Sequence, residues 1–511
     1  MNSTNLWILG TFVAYMGMML CIGAAYMKTG KSTEDYFLGG RSLGGWVVAL
    51  SAQASDMSGW LLMGLPGSVY ALGTGQSWIA VGLLLGTIAN WLIISGRLRR
   101  YTIVANNSLT LPAYFENRFH DKKRILLGLS SVVIVIFFLV YTASALASGG
   151  KLFSSVFGVS YHLSLTISAV IILGYTFMGG FMAVCVTDFI QGMLMLVALI
   201  TVPVVAYALM DGNMMGMIGQ TGVDAGNFMN LMKNGENRFT AVEIISQLAW
   251  GLGYCGMPHI LVRFMAVKNQ KELNKSKGIA IAWVVISLFM AVVIGVVGRA
   301  YLFPTVLGAD GGSTETVFIE MITRLFTQDL RLPIIAGLFL CGILAAIMST
   351  ADSQLLVTAS SMSEDIYKGI VKRNATEDKV MKMSRYTVIG VAVLAYLIAW
   401  DPNSSIMGLV SNAWAGLGAA FGPTVLMSLF WRRCNLQGAV AGIFSGGLTV
   451  IIWDYIPLVG GQTLGAATGL YSLAIGFLIS IVFVVIVSLC TKAPDASILA
   501  EFDRVASDEE I

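Results

Sequence analysis

The chain has 511 residues, 56% hydrophobic and only 12% charged, with a mean hydropathy of +0.78. Soluble domains carry about 25% charged residues, so the composition excludes a soluble globular protein and reads as an all-α polytopic membrane protein. The formal net charge of +3 says little by itself and points to no nucleic-acid partner. With roughly 20 apolar residues needed per crossing, about thirteen segments qualify: 6–27, 46–71, 77–96, 125–149, 162–183, 189–210, 240–262, 278–303, 333–360, 386–400, 404–430, 437–456 and 465–490. The first lacks the basic leader of a signal peptide and is expected to remain as a span. Loops taken alternately separate the charges: one set holds 25 of the 31 Lys and Arg, including Lys28, Lys31, Arg41 and clusters at 97–124, 263–277 and 368–385. The positive-inside rule then places the N-terminus outside and the C-terminus in the cytoplasm. The outside loops 211–239 and 301–332 read as connectors, and the acidic tail 492–511 as a cytoplasmic helix or disordered end.

Six cysteines are scattered through or beside apolar segments without paired spacing, and His120, His162 and His259 form no local cluster. Zinc, a disulfide framework and His-based catalysis lose their basis. With no nucleophile and base constellation the chain is not expected to be an enzyme. GLGYCG (251–256) matches the dinucleotide fingerprint but lies in an apolar span with no strand before it, and GKST (30–33) lacks the leading glycine of a phosphate loop.

The chemistry concentrates in three polar islands. SDMSGWLLMGLPG (55–67) puts Asp56, two serines, Trp60 and glycines inside the second apolar segment. An ionised carboxylate at bilayer depth costs about 2.5 to 3.5 kcal/mol even on the lenient insertion scale, so Asp56 should face a protein interior with a partner. Ala52, Ala54, Ser55, Ser58 and Gly59 let helices approach and lower the cost of opening a turn, whose freed carbonyls then suit a cation. WGLGYCGMPH (250–259) is a second apolar segment interrupted by Gly and Pro. Two interrupted segments in corresponding positions of two halves point to a transporter's substrate site. AAIMSTADSQ (345–354) offers the hydroxyls of Ser349 and Thr350 one turn after Ala346, an oxygen-only set that suits a hard cation. Thr187 and Asp188 read as a loop pair at the cytoplasmic end between the fifth and sixth segments. A channel would want a filter or charge ring repeated about an axis, and nothing repeats that way.

These residues resemble the sodium/solute symporter family, and within it the branch that carries proline. The likeness rests on DYFLGGRSLG (35–44), SAQASDMSGWLLMGLPG (51–67), LTLPAYFENRF (109–119), the pattern Gly179, Gly180, Ala183, Val184, Thr187, Asp188, Gln191, then WGLGYCGMPHILVRFMA (250–266) and ILAAIMSTADSQLL (343–356). It implies one transmembrane domain over 1–491, built on a five-plus-five inverted-repeat core with broken helices at about 45–430, and a tail from 492 to 511. It implies a sodium site between the second and ninth spans, with the carbonyls of Ala54, Met57 and Ala346 and the hydroxyls of Ser349 and Thr350 as ligands and Asp56 beside them. L-proline would lie next to it, contacted by backbone near Ser58 and Gly59 and enclosed by Trp60, Tyr141, Trp250, Tyr254 and Pro258. Arg41 and Asp188 would couple the site to the cytoplasmic side. Relatives that take a second sodium place a hydroxyl where this chain has Ala346, which argues for one sodium per substrate. Met257 stands where a polar side chain is expected, Asp352 has no assigned role, and a sibling branch carries another small carboxylate such as pantothenate. The implied partners are proline, sodium and the bilayer, with no obligatory protein partner.

Overall fold

The computed structural model describes residues 3–26, 33–177, 180–210, 212–309 and 313–507. Met27, Lys28, Gly30, Lys31, Gly179 and Asp211, used above, lie outside the described residues. Among the described residues, the helices that carry the architecture are α1 (Ser3–Tyr26), α2 (Gly45–Asp56), α3 (Trp60–Leu72), α4 (Thr74–Val104), α5 (Leu111–Arg118), α6 (Ile125–Phe157), α7 (Tyr161–Thr176), α8 (Phe181–Leu209), α9 (Ala241–Leu248), α10 (Pro258–Met265), α11 (Gln270–Tyr301), α12 (Pro333–Val371), α13 (Glu377–Ile398), α14 (Ile406–Phe430), α15 (Leu436–Tyr455), α16 (Ser472–Cys490) and α17 (Ala496–Ala506). Strands are confined, among the described residues, to two hairpins, Lys233–Asn234 with Asn237–Arg238 and Pro457–Val459 with Gln462–Thr463.

Ten of these helices are long and apolar enough to cross a membrane. Each falls on one of the thirteen expected segments. The other three segments behave differently, for physical reasons. The second stops at Asp56 and restarts as α3, the fifth contains the 16-residue α7, and the seventh is α9 and α10 joined through a tight 3-10 stretch, Ala249–Gly256. Gly251, Gly253 and Gly256 weaken the α-helix there, and Pro258 starts the next one at a position where its missing N–H costs nothing.

The two sets of loops gather at opposite ends. At one end Arg41 donates to Asn107 (2.8 Å) and to the carbonyl of Ser108 (2.9 Å), while Leu43 and Lys268 exchange backbone bonds with Ala266 and Leu43. The tail folds back onto this end as α17. Its apolar face, Ile498, Phe502 and Val505, is buried, and the Phe502 ring lies 5.1 Å from the Arg97 guanidinium and 5.5 Å from that of Arg118. Glu501 meets His120 at 3.0 Å, and Asp503 pairs with Arg432 at 2.8 Å, whose hydrogen bonds hold the Asp503 carboxyl below the usual range. At the other end Lys151 on α6 pairs with Glu315 at 2.6 Å, and Glu315 caps α14 by accepting from the backbone N–H of Ile406 and Met407, both 3.2 Å. Such a carboxylate also meets the positive end of the helix dipole.

Candidate functional site

α2 ends because its hydrogen-bond ladder turns on itself. The Ser58 N–H, which would continue the helix by bonding the Ala54 carbonyl, bonds the Asp56 carbonyl instead at 3.0 Å, and Met57 takes the non-helical angles φ −85° and ψ 80°. The Trp60 indole N–H holds the same Asp56 carbonyl at 2.9 Å. The freed Ala54 carbonyl accepts from Ser349 Oγ at 2.7 Å and from Thr350 Oγ1 at 3.4 Å, across the contact between α2 and α12. Ser349 Oγ also lies 3.2 Å from the Ala346 carbonyl. Four of the five oxygens implied as sodium ligands are therefore linked in a chain of hydrogen-bonding contacts, all fully buried. Met57 is adjacent and buried, its Sδ accepting from Ser287 at 3.4 Å.

Asp56 is 1% exposed. Its Oδ2 accepts from the Tyr254 hydroxyl at 2.6 Å, and its Oδ1 has no hydrogen-bond partner among the described residues. No Lys or Arg pairs with it among the described residues. A buried carboxylate in that position needs a cation or a proton, and the oxygens of Ala54, Ser349 and Thr350 provide a place for a hard cation nearby.

The aromatic residues separate into two groups. Trp60, Tyr141 and Tyr254 are fully buried around the interruption, with Tyr254 edge-on to Trp414 at 5.1 Å. The Tyr141 hydroxyl has no partner among the described residues. A Cβ on Gly59 would lie 2.3 Å from Ser148 Oγ, so only glycine lets α6 come this close, and Ser58 Oγ accepts from the Trp60 N–H at 3.4 Å. Trp250 is elsewhere: it stacks on Tyr471 at 5.2 Å and lines a recess of about 330 Å³ with Ser411, Asn412 and Asp454. Pro258 lines a different small cavity with Phe181, Thr110 and Leu111.

Two expectations change. Asp188 is not a loop carboxylate: it lies within α8, fully buried, accepting from Ser51 Oγ at 2.7 Å and paired with Arg263 at 3.2 Å. Arg263, counted above with the cytoplasmic basic residues, is fully buried on α10 and also donates to Ser353 Oγ at 2.6 Å and contacts Ser51 Oγ at 3.2 Å. This network ties α2, α8, α10 and α12 together one turn beyond Ala54 and Ser349. Arg41 instead bonds Asn107, Thr102 and the carbonyls of Met265 and Ser108. The missed signal was an Arg inside the apolar run PHILVRFM facing an Asp in another span, since intramembrane charges pair. His259 was also missed. It packs against Phe138 (5.4 Å) and Tyr141 (6.1 Å), and neither ring nitrogen has a partner among the described residues. Asp352 accepts from Thr176 at 2.5 Å.

A predominantly helical membrane protein in which an interrupted helix presents a freed carbonyl to the hydroxyls of another span, next to a buried carboxylate, has the architecture of a secondary transporter. The model of the sodium:solute symporter family matches residues 36–446. The high-affinity proline transporter PutP of Bacillus subtilis is 45% identical over 485 residues, covering 95% of this chain and 98% of that protein. Sodium/proline symporter 2 of Staphylococcus saprophyticus is 44% identical over 499 residues, covering 96% and 94%. Among solved structures, the substrate-bound outward-open state of a sodium-coupled sialic acid symporter shares the fold at a TM-score of 0.75 with 20% identity, over 96% of this chain and 99% of that one. Mhp1, a nucleobase-cation-symport-1 family transporter in a closed conformation, does so at 0.51 with 14% identity, over 92% and 98%. The chain belongs to the sodium:solute symporter family, and its activity is transport rather than catalysis.

Proposed function

We propose that this protein imports L-proline across the plasma membrane by alternating access, driven by one sodium ion per proline. The observation that carries this reading is the meeting of the freed Ala54 carbonyl with Ser349 and Thr350 beside the unpaired Asp56. Sodium, as cargo, would be held by the carbonyls of Ala54, Met57 and Ala346 and the two hydroxyls, with the Asp56 charge raising its affinity. Proline, a zwitterion with an apolar ring, needs N–H donors for its carboxylate and aromatic walls for its ring. The carboxylate would lie against the opened backbone near Ser58 and Gly59, and the ring against Trp60, Tyr141 and Tyr254. Trp250 and Pro258 act further along the path, on either side of this chamber. Arg263, Asp188, Ser51 and Ser353 close the inner end, with Arg41 bracing the neighbouring loops. The gathering of the basic loops at one end supports an N-terminus outside and a C-terminus in the cytoplasm, with residues 1–491 as one transmembrane domain on an inverted-repeat core at about 45–430. The likeness to relatives named for proline supports the substrate.

Proline crosses as a neutral species, so one sodium moves one net charge, worth roughly 2.3 kcal/mol per 100 mV. Proteoliposomes should take up labelled proline only with external sodium, and faster when the interior is made negative. Uptake indifferent to the imposed potential would refute the single-sodium stoichiometry, and uptake indifferent to sodium would refute the whole reading.

A further inference from the structure

α12 carries polar side chains well past Ser349 and Thr350. Thr350, Gln354, Ser361 and Asp365 recur at intervals that keep them on one side of the helix, the last two in its terminal π-helical segment, Ser361–Val371. All four are buried, Asp365 at 4% exposure. Both polar atoms of the Gln354 amide, Ser361 Oγ and Asp365 Oδ2 have no hydrogen-bond partner among the described residues. Buried polar groups are ordinarily satisfied, so four orphaned atoms along one helix stripe indicate a path that something polar occupies.

The surroundings identify what that is. Ser361 and Thr110 line a cavity of about 20 Å³, the room of roughly one water-sized particle. Thr110 and Asp365 line the next cavity, about 270 Å³, at the end where the basic loops gather. Two other carboxylates there are neutralised, Glu116 by Arg124 at 3.0 Å and Glu364 by Lys368 at 3.0 Å. Asp365 alone of the three has no ion-pair partner among the described residues. Its Oδ1 accepts from Thr110 Oγ1 at 2.8 Å, and its Oδ2 is left over. One carboxylate with hydroxyl oxygens makes a weak, all-oxygen site that suits a monovalent cation and is too poor in charge for a divalent one.

We propose that Asp365, with Ser361 and Thr110, forms a second, low-affinity sodium site at the inner end of the path, where the ion pauses before release. This rests on the sodium-coupled reading above. A purely structural role is the alternative, because Thr110 also caps α5 by accepting from the Ala113 N–H at 3.1 Å. Asp365→Asn separates the two: the amide oxygen keeps the bond from Thr110 while the charge is lost.

The experiment is proline uptake into proteoliposomes with saturating external sodium, a clamped potential and increasing internal sodium. Wild-type protein should be slowed by internal sodium. Asp365→Asn should need several-fold more internal sodium for the same slowing, with the external sodium for half-maximal uptake within about twofold of wild type. Asp365→Glu should stay near wild type, and Ser361→Ala should shift the internal curve in the same direction as the Asn variant. An unchanged internal curve in Asp365→Asn and Ser361→Ala overturns the site, as does an equal shift of both curves, which would trace the effect to Ala54, Ser349 and Thr350. Absence of sodium-dependent uptake in the wild type would defeat the sodium-coupled reading itself, independently of Asp365. If Asp365→Asn does not assemble, the Ser361→Ala curve decides alone.

Discussion

The two interrupted spans are broken for different purposes. The first interruption is short, Met57 to Gly59, and it turns the Ala54 carbonyl toward α12 and the Asp56 carboxylate toward Tyr254. The second is a 3-10 stretch of eight residues whose glycines serve packing. A Cβ on Gly251 would lie 2.1 Å from the Gly82 carbonyl oxygen, one on Gly253 2.0 Å from the Trp414 indole, and one on Gly256 2.6 Å from the Gly422 nitrogen. That close approach to α4 and α14 lets Tyr254 reach Asp56. One break frees a carbonyl and the other supplies position.

Substitutions should therefore fail in different ways on the two sides. The largest effect is expected for Gly251→Ala, where a methyl meets backbone that has no room to yield; overpacking costs about 1 to 3 kcal/mol or more. Little folded transporter should reach the membrane, as read by size-exclusion of detergent extracts. A normal monodisperse yield would show that the approach to α4 is slack.

Asp56→Asn comes next. Losing the charge beside the proposed sodium site should raise the sodium needed for half-maximal proline binding by about 100-fold, near 2.7 kcal/mol, with normal yield. Asp56→Glu should keep part of the function. Equal sodium dependence in Asp56→Asn and wild type would remove the carboxylate from the ion site.

Thr350→Ala and Ser349→Ala each delete one hydroxyl, worth about 1 to 1.5 kcal/mol, so a shift of about tenfold is expected. Because sodium and proline raise each other's affinity by the same factor, high sodium should restore most proline binding in these variants. Equilibrium binding of labelled proline across a sodium titration makes the comparison, and unchanged curves would reduce the pair to packing.

The smallest effect belongs to Trp250→Ala. Its ring stacks on Tyr471, away from Asp56, so the proline concentration for half-maximal uptake should rise only a few-fold, less than for Trp60→Ala. A larger loss in Trp250→Ala than in Trp60→Ala would move the proline chamber toward the Tyr471 recess.

Much of this arrangement was legible in the chain because lipid punishes polarity. Asp56 in an apolar run, two hydroxyls after Ala346 and glycines before Pro258 all stood out against a hydrophobic background. Ten segments could be read as spans because length and hydropathy are local properties. What escaped depended on partners far apart in sequence. Asp188 looked like a loop residue because the expected fifth span ran to residue 183, whereas the helix holding it begins at Phe181. Arg263 fell into the charge count of a loop although it is buried against Asp188. Trp250 and Tyr254 were grouped because they are one turn apart, and a 3-10 stretch sends them to different neighbours. Asp365 lay among charged residues at the end of a span, where only the three-dimensional arrangement shows that its neighbours are paired and that it has no ion-pair partner among the described residues.

The docking of α17 has a consequence for how the molecule is made. Its seat consists of Arg97, Tyr101, Arg118 and His120, from α4, α5 and the turn after them, together with Arg432 from the segment between α14 and α15. α17 follows all of these residues in the chain, so it finds a complete seat only after the segments that carry them have entered the membrane and assembled. The docking of α17 thus depends on prior assembly: the Phe502 ring covers the Arg118 guanidinium once the helices beneath it are in place.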